Sequence, residues 1–370
     1  MSRRSVLSPR ERVRLAVRSQ MADRVPFTVY WLMFPRGETE RALRNAGTAV
    51  VERVPLFRLS HPGFEIVDRE YEKEGGRFLR KELRAARGCL QATYRRESGY
   101  GTSWWQLDPF VKQPSDYDLL EQYLEARTYH PDYVAFAAAA RAYGEDGYVA
   151  GNTEYSPLNL LLYEFLGMER FCLDLADRPE RMLRLYELLR EKQRRMFEIC
   201  AASPAELVLY DGNISQEVIG EERFRRYFRP CHDEFAAAMH REGKLAGCHL
   251  DARMSSLALA IGESRLDVIE AFTPAPTCDM TVAEARRAWP GKVLWINFPS
   301  SVHLEGDERI REELRRILGE AAPGDRFLVG ITEDVPWPYW PGSLRAISGG
   351  LRRWGKLPLA VPGASTAGKA

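Results

Sequence analysis

The chain has 370 residues, 45% of them hydrophobic and 28% charged, with 53 basic and 52 acidic side chains and a formal net charge of +1. That composition allows a large packed core under a solvated shell, and the balanced charge argues against nucleic acid or an anionic membrane as partner. Six cysteines stand far apart with no CxxC pair, and the opening MSRRSVLSPRERVRLAV lacks the apolar core of a signal peptide, so reduced thiols in a cytoplasmic protein are expected, and no apolar run approaches the ~20 residues of a membrane span.

Ser8 caps and Pro9 opens a helix in SPRERVRLAVRSQ. The β-branched and aromatic PFTVYWLM (26–33) predicts a buried strand, and GETERALRNAG (37–47) a helix closed by glycine. Residues 64–107 alternate and turn, with a Gly-Gly at one turn, and predict antiparallel hairpins. DYDLLEQYLEAR and DYVAFAAAARAYG predict helices with Asp caps. A strand at 147–154 is followed by a helical stretch from Leu158 to about Cys200, broken near Gly167 and Pro179. Strands at 205–213, 244–251, 266–272, 292–298 and 326–333 are each followed by helix.

This alternation predicts a parallel sheet with helical crossovers. Around eight such units in about 340 residues suit an α/β chain folded as a (β/α)8 TIM barrel with an N-terminal helix and a β-hairpin excursion. With no internal repeat or linker, one domain over 1–370 is expected, with the excursion at about 64–107 and a disordered tail over 359–370. A doubly wound open sheet is the alternative; no GxGxxG or GxxxxGK[ST] follows any strand to support its nucleotide-binding form.

The strands close on polar residues: Asn152 and Glu154, Asp211 and Asn213, His249 and Asp251, Glu270, Asn297, and Glu333 with Asp334. One such residue reads as a helix cap. Six strands ending this way point to a polar mouth at the carboxyl face of a barrel, where barrel enzymes place their chemistry. Residues two apart on a strand share a side, so His249 and Asp251 form a same-side pair, as do Asn152 with Glu154 and Asp211 with Asn213. Clustered carboxylates have raised pKa values unless a cation sits among them; a metal, a substrate cation or shared protons each satisfy that condition. Cys248 faces the other way, Cys278 in TPAPTCDM reads as a loop cysteine, and Lys112 reads as a surface lysine. Trp337 and Trp340 in EDVPWPYWPG form either a lid or a cover for the barrel end.

Four stretches resemble the uroporphyrinogen decarboxylase (URO-D) superfamily, over about residue 8 to residue 358: SPRERVRLAVRSQMADRVPF, GYVAGNTEYSPLNLLLYEFLGMERFCLDLADRPERM, YFRPCHDEFAAAMHREGKLAGCHLDA and RFLVGITEDVP. The resemblance implies a (β/α)8 barrel, a homodimer, and either uroporphyrinogen decarboxylation or cobalamin-linked methyl transfer at a zinc site. True decarboxylases carry Arg-Gln-Ala-Gly-Arg after the first strand to hold the substrate's carboxylates. Here YWLMFPRGETERALRNAG stands there, with only Arg36 close to the strand end, and the family's Gly-x-Pro-Trp-Thr has become GNTEYSPLN, which brings in Glu154. An acidic mouth is a poor receptor for a polyanionic porphyrinogen. The methyltransferase branch carries His-x-Cys-Gly at the strand filled by GCHLDA, and a second cysteine late in the barrel. His249 matches the histidine, Asp251 stands in place of the first cysteine, and LVGITED offers Glu333 in place of the second.

The resemblance thus implies a divalent metal, zinc in the family, on His249, Asp251 and Glu333 or Asp211. The missing thiolates point away from a thiol acceptor and toward a substrate oxygen. The expected function is a metal-dependent methyltransferase that moves a methyl group from a small methoxylated or methylated substrate to a corrinoid (cobalamin) carried by a partner protein. Glu154, Asp211 and Asn213 are its candidate catalytic groups, with Glu154 as general acid or substrate-orienting residue. Tyr30, Trp31, Met33, Phe34, Arg36, Asn152 and Asn297 are expected to line the substrate pocket. The alternatives are a metal-free lyase acting on a small carboxylic acid or tetrapyrrole, and a non-catalytic binder of a tetrapyrrole or corrinoid.

Overall fold

A computed structural model describes residues 7–34, 36–96 and 104–360, with only the backbone of Asp211. In chain order the strands are β1 (Phe27–Tyr30), β2 (Ala49–Pro55), β3 (Phe57–Ser60), β4 (Glu65–Lys73), β5 (Gly76–Ala85), β6 (Gly88–Arg96), β7 (Trp104–Asp108), β8 (Thr128–Pro131), β9 (Gly147–Tyr155), β10 (Leu207–Asp211), β11 (Leu245–His249), β12 (Val268–Phe272), β13 (Val293–Asn297) and β14 (Phe327–Ile331). Eight of them close into a barrel in the order β1-β14-β13-β12-β11-β10-β9-β2. The pairings of β1 with β14 and β2, and of β10 through β14, are parallel. With helices on the intervening crossovers, this is a (β/α)8 TIM barrel.

The chain divides into two compact units. Residues 1–54, 134–152 and 204–370 form the first, which carries the barrel. Its interior is built from Tyr30, Val51, Tyr148, Leu207, Leu209, Val268, Trp295 and Leu328, among others. Helix α1 (Pro9–Val17) begins with a capping box between Ser8 and Glu11 and with Pro9 at its first turn. Its apolar residues Val13, Ala16 and Val17 share one helical face, and that face packs into the barrel cluster. Many of the strand residues it meets, such as Leu207, Val268 and Val293, are the first of their strands. The helix therefore covers the amino end of the barrel and leaves the carboxyl end for chemistry.

Residues 55–133 and 153–203 form the second unit. Strands β4–β7 make a four-stranded antiparallel sheet there, over the segment read as hairpins, and β3 pairs with β8. Glu74 and Gly75, both with positive φ, form the two-residue turn between β4 and β5. The helical stretch expected from Leu158 contains a π-helical turn at Leu161–Leu166 and a left-handed Gly167.

Three local differences from expectation matter for the site. The first strand stops at Tyr30, and Trp31–Met33 is a 3-10 turn. Strand β2 goes beyond the expected set, and it contains Arg53. In the segment expected to be a disordered tail, Leu359 is buried and its N–H bonds the Pro323 carbonyl at 2.8 Å; residues 361–370 lie outside the described residues. Among the described residues, no helix is long and apolar enough to cross a membrane.

Candidate active site

His249 ends β11, and strand register sets it beside Glu270 of β12. Two backbone features hold that pair in place. A Cβ at Gly212, just after β10, would collide with the His249 carbonyl, so only glycine allows this approach. Ala271 has φ 61° and the β12–β13 register shifts between Glu270 and Phe272. Such a bulge re-aims a side chain at the cost of backbone strain, a feature that clusters at functional sites.

The side chains form a connected chain of charge. His249 Nδ1 lies 2.7 Å from Glu270 Oε2, and His249 Nε2 lies 3.3 Å from Asp251 Oδ2. The Tyr30 hydroxyl donates to Glu270 Oε1. Arg53 places Nη1 3.3 Å from His249 Nδ1 and its guanidinium 4.8 Å above the Tyr30 ring. Glu270 is fully buried and His249 is 7% exposed, while the Asp251 side chain is 27% exposed and is the outermost member.

Burial alone pushes the His249 pKa down. The Glu270 charge and the hydrogen bonds to Asp251 and Glu270 outweigh burial and the opposing Arg53, so the imidazole is raised to about 10. Burial pushes the Glu270 carboxyl up, and His249, then Arg53 and Tyr30, bring it below the ordinary carboxylate range. Asp251 follows the same pattern, with His249 as its main counterweight to burial. The cluster is an imidazolium clamped between two carboxylates.

A second polar group forms where β12, β13 and β14 end. Ser300 donates to Glu333, and Thr273 Oγ1 lies 3.3 Å from the other carboxylate oxygen. Asn297 Nδ2 reaches Thr273 and Ser300 at 3.4 and 3.3 Å, and its Oδ1 accepts from the Thr332 N–H at 2.9 Å. Burial and the charge of Asp251 hold the Glu333 carboxyl above its ordinary value despite these donors. Cys278, read as a loop cysteine, comes 3.6 Å from the Asp251 carbonyl. Burial, then Glu333, Asp279 and Asp251, push its thiol up to about 11.

Of the expected ligand set, His249 and Asp251 meet. Glu333 has its own hydroxyl partners, and among the described residues no three His, Cys, Asp or Glu side chains are grouped to hold a metal ion. Glu154 belongs to the second unit. There it accepts from buried Arg127, from Tyr129 and, at 2.9 Å, from Gln193. All three donors act on its two carboxylate oxygens. Asp211 ends β10, Asn213 is left-handed at φ 62°, and the Asn152 Oδ1 is buried without a partner. Phe34 is buried edge-on to Trp340 at 6.2 Å, Met33 packs on the barrel cluster, and Arg36 lies over Trp31 and bonds Glu40 at 2.7 Å. Cys248 faces His232, 3.7 Å from its Nε2, behind the strand.

Two members of the cluster carry no assigned role in the sequence reading: Glu270 stands there as a polar strand end alone, and Arg53 is not named. Glu270 is the one charged residue inside the apolar run VIEAF, which was its available signal. Arg53 sits on the strand that was not anticipated.

Neither a protein-family model nor a curated protein matches the sequence. Among solved structures, a methyltransferase from Methanosarcina mazei is similar over 94% of this chain and 99% of its own, with a TM-score of 0.57 and 11% identity. A glycoside hydrolase family 5 enzyme from Prevotella bryantii is similar over 92% of this chain and 99% of its own, with a TM-score of 0.43 and 10% identity. At 11% identity the first likeness shows a shared fold alone.

Proposed function

We propose that this chain is a methyltransferase related to the cobalamin-linked branch of the URO-D superfamily. It moves a methyl group from a small methoxylated or methylated substrate to a corrinoid on a partner protein. The motif resemblance and the shared fold with a methyltransferase support the class. The observation that carries the site is the imidazole of His249 between Glu270 at 2.7 Å and Asp251 at 3.3 Å, at the carboxyl ends of the barrel strands.

Methyl transfer breaks a carbon–heteroatom bond and leaves the electron pair on the heteroatom. The corrinoid, when bound, supplies the nucleophilic pair that takes the methyl carbon. The chain supplies a proton to the atom left behind. His249 carries one on each ring nitrogen; Glu270 and Tyr30 fix the ring through Nδ1, and Nε2 delivers through the partly exposed Asp251.

A divalent cation would find His249 Nε2 and Asp251 as donors, with Glu270 orienting the ring from behind as metal-bound imidazoles require. Among the described residues these two donors do not complete a site, since Glu333 is not grouped with them, and the Asp211 side chain lies outside the described residues. Arg53 beside His249 is the observation favouring the alternative, a lyase whose substrate carboxylate it would hold.

The test is anaerobic incubation with cob(I)alamin and a panel of methyl ethers and methylated amines, following the loss of the reduced cobalamin absorbance. Transfer from at least one donor, slowed about 100-fold in Asp251→Asn, is expected. No transfer from any donor, or an unchanged rate in Asp251→Asn, would overturn the proposal. Carbon dioxide release from a small acid would favour the lyase.

A further inference from the structure

Strands β4–β7 of the second unit form an antiparallel sheet with two unlike faces. Side chains alternate between them along each strand. Leu79, Leu83, Leu90 and Ala92 lie on one face and are buried. On the other face, register sets Tyr71, Phe78, Arg95 and Trp105 in one row across all four strands. The neighbouring row carries Arg69, Arg80 and Thr93. Tyr71 stacks on Phe78 with centroids 5.4 Å apart, and the Arg80 guanidinium lies 5.7 Å from the Tyr71 centroid. Trp105 is 61% exposed, and Arg69, Arg80 and Arg95 are exposed with it.

Arg69 and Arg80 stand directly opposite each other on neighbouring strands, and like charges so placed are destabilising. The carboxylates of this face do not relieve them. Glu82 pairs with Arg84 at 2.8 Å, Glu65 with Arg84 at 3.7 Å, and Asp108 with Lys112 at 2.9 Å. Asp68 and Glu70 flank Arg69 in sequence but project from the opposite face, toward Lys81 at 3.9 Å and Arg77 at 2.6 Å. Among the described residues no carboxylate pairs with Arg69, Arg80 or Arg95. The chain as a whole is near neutral, so this is a local excess of cation that the fold leaves uncompensated.

The spacing selects among anionic partners. Cβ atoms directly opposite on two strands are about 5 Å apart, and those three or four apart on a helix about 5–6 Å. An acidic helix face therefore matches the arginines, and a guanidinium fork takes a carboxylate through two hydrogen bonds. Trp, Tyr and Arg are also the residues that anchor protein interfaces. Two other polyanions fit less well. Nucleic-acid bases stack in succession on free aromatic faces, whereas Tyr71 is already engaged by Phe78 and Arg80. A membrane surface takes a broad apolar face, and this one carries guanidinium groups in both rows.

We propose that the open face of this sheet docks an acidic helical segment of a partner protein. Arg69, Arg80 and Arg95 receive its carboxylates, and Trp105 receives its apolar side chains. Tyr71 holds Arg80 before the partner arrives, which lowers the ordering cost of binding. The partner's charge also removes the repulsion between Arg69 and Arg80. The inference stands apart from the barrel site and from the methyl-transfer reading.

The probe is a fluorescein-labelled helical peptide with glutamates three and four positions apart on one face and leucines beside them. It is titrated with the full chain and followed by fluorescence anisotropy. A counterpart with glutamine in place of each glutamate, a labelled oligothymidine and phosphatidylserine vesicles serve as comparisons. The glutamate peptide should bind saturably, at least about 10-fold tighter than its glutamine counterpart or the oligothymidine, and the vesicles should not displace it. Arg69→Gln, Arg80→Gln and Arg95→Gln should each weaken it at least about 3-fold. Arg141→Gln, which removes an exposed arginine of the first unit, should leave it unchanged. Arg69→Gln should melt at or above the wild-type temperature, because it removes a like-charge contact, and that result separates lost docking from lost fold. No saturable binding, equal binding of the two peptides, or an equal loss in Arg141→Gln would overturn the inference. A lowered melting temperature in Arg69→Gln would give that guanidinium a structural role and overturn it too. Displacement by the vesicles, or tighter binding of the oligothymidine, would assign the face to a lipid surface or to nucleic acid instead.

Discussion

His249 and Glu270 are register partners on adjacent parallel strands, and their side chains meet at 2.7 Å in a place with almost no access to water. A buried charge without a partner is costly, so each is the condition for the other's ionised form. The partner on the far side, Asp251, is the only one of the three with appreciable exposure. The geometry gives the cluster a fixed inner end and an outer end that a substrate can reach.

Replacing Glu270 by Gln keeps the shape and removes the inner charge. Breaking a buried ion pair costs about 3–5 kcal/mol, and chemical denaturation should show a loss in that range. Tyr30→Phe removes only one donor to the same carboxylate and should cost about 1–2 kcal/mol. Equal stability of Glu270→Gln and wild type would mean that the pair is not formed in solution.

The pH dependence follows from the direction of each shift. His249 titrates at about 10 folded and near ~6.5 unfolded. Its contribution is complete below about pH 6.5 and is lost as pH rises toward 10. Glu270 and Asp251 are depressed, so theirs is present above about pH 4 and is lost as pH falls through the folded values. Burial lowers His61 and His303 to about 4 and His232 to about 3. Their contribution is present above about pH 6.5 and is lost as pH falls. Urea unfolding across pH should therefore show stability declining on the alkaline side, and Glu270→Gln should flatten that limb. An unchanged alkaline slope in the variant contradicts the assignment.

The barrel was legible because strand and helix alternate with regular spacing, and because parallel strands buried on both faces read as continuous apolar runs, as in FLVGI and VLWIN. Strand β2 was not, because AVVERVP follows directly on the second helix and ends in a mixed-charge pair and a proline rather than in a polar cap. Missing it concealed Arg53. The pair His249 and Asp251 could be read from period-two spacing alone. The Glu270 contact depends on which strands are neighbours and on their register, which no local pattern carries. The Glu154 contact was hidden for a similar reason: Arg127, its partner, lies 27 residues away in the chain.

The Glu154–Arg127 pair gives a prediction for the second unit. The two side chains are 10% and 2% exposed, so Glu154→Gln should destabilise the fold by about 3–5 kcal/mol. A variant with unchanged stability and lost methyl transfer would assign Glu154 to catalysis instead.

Trp295 tests the barrel interior. It is fully buried and donates from Nε1 to Thr28 Oγ1 at 2.9 Å. Trp295→Ala should cost about 3–5 kcal/mol, and Trp295→Phe, which keeps most of the volume and loses the hydrogen bond, clearly less. Thermal unfolding of both variants checks this.

The most direct measurement is the nitrogen spectrum of the His249 ring in protein labelled at histidine nitrogens, assigned with His249→Gln. At about pH 8, where a free imidazole is neutral, His249 should show a proton on both ring nitrogens. The second proton should be lost in Glu270→Gln. A ring with one bare nitrogen at that pH in the unmutated protein would contradict the clamped imidazolium on which the site and its chemistry are built.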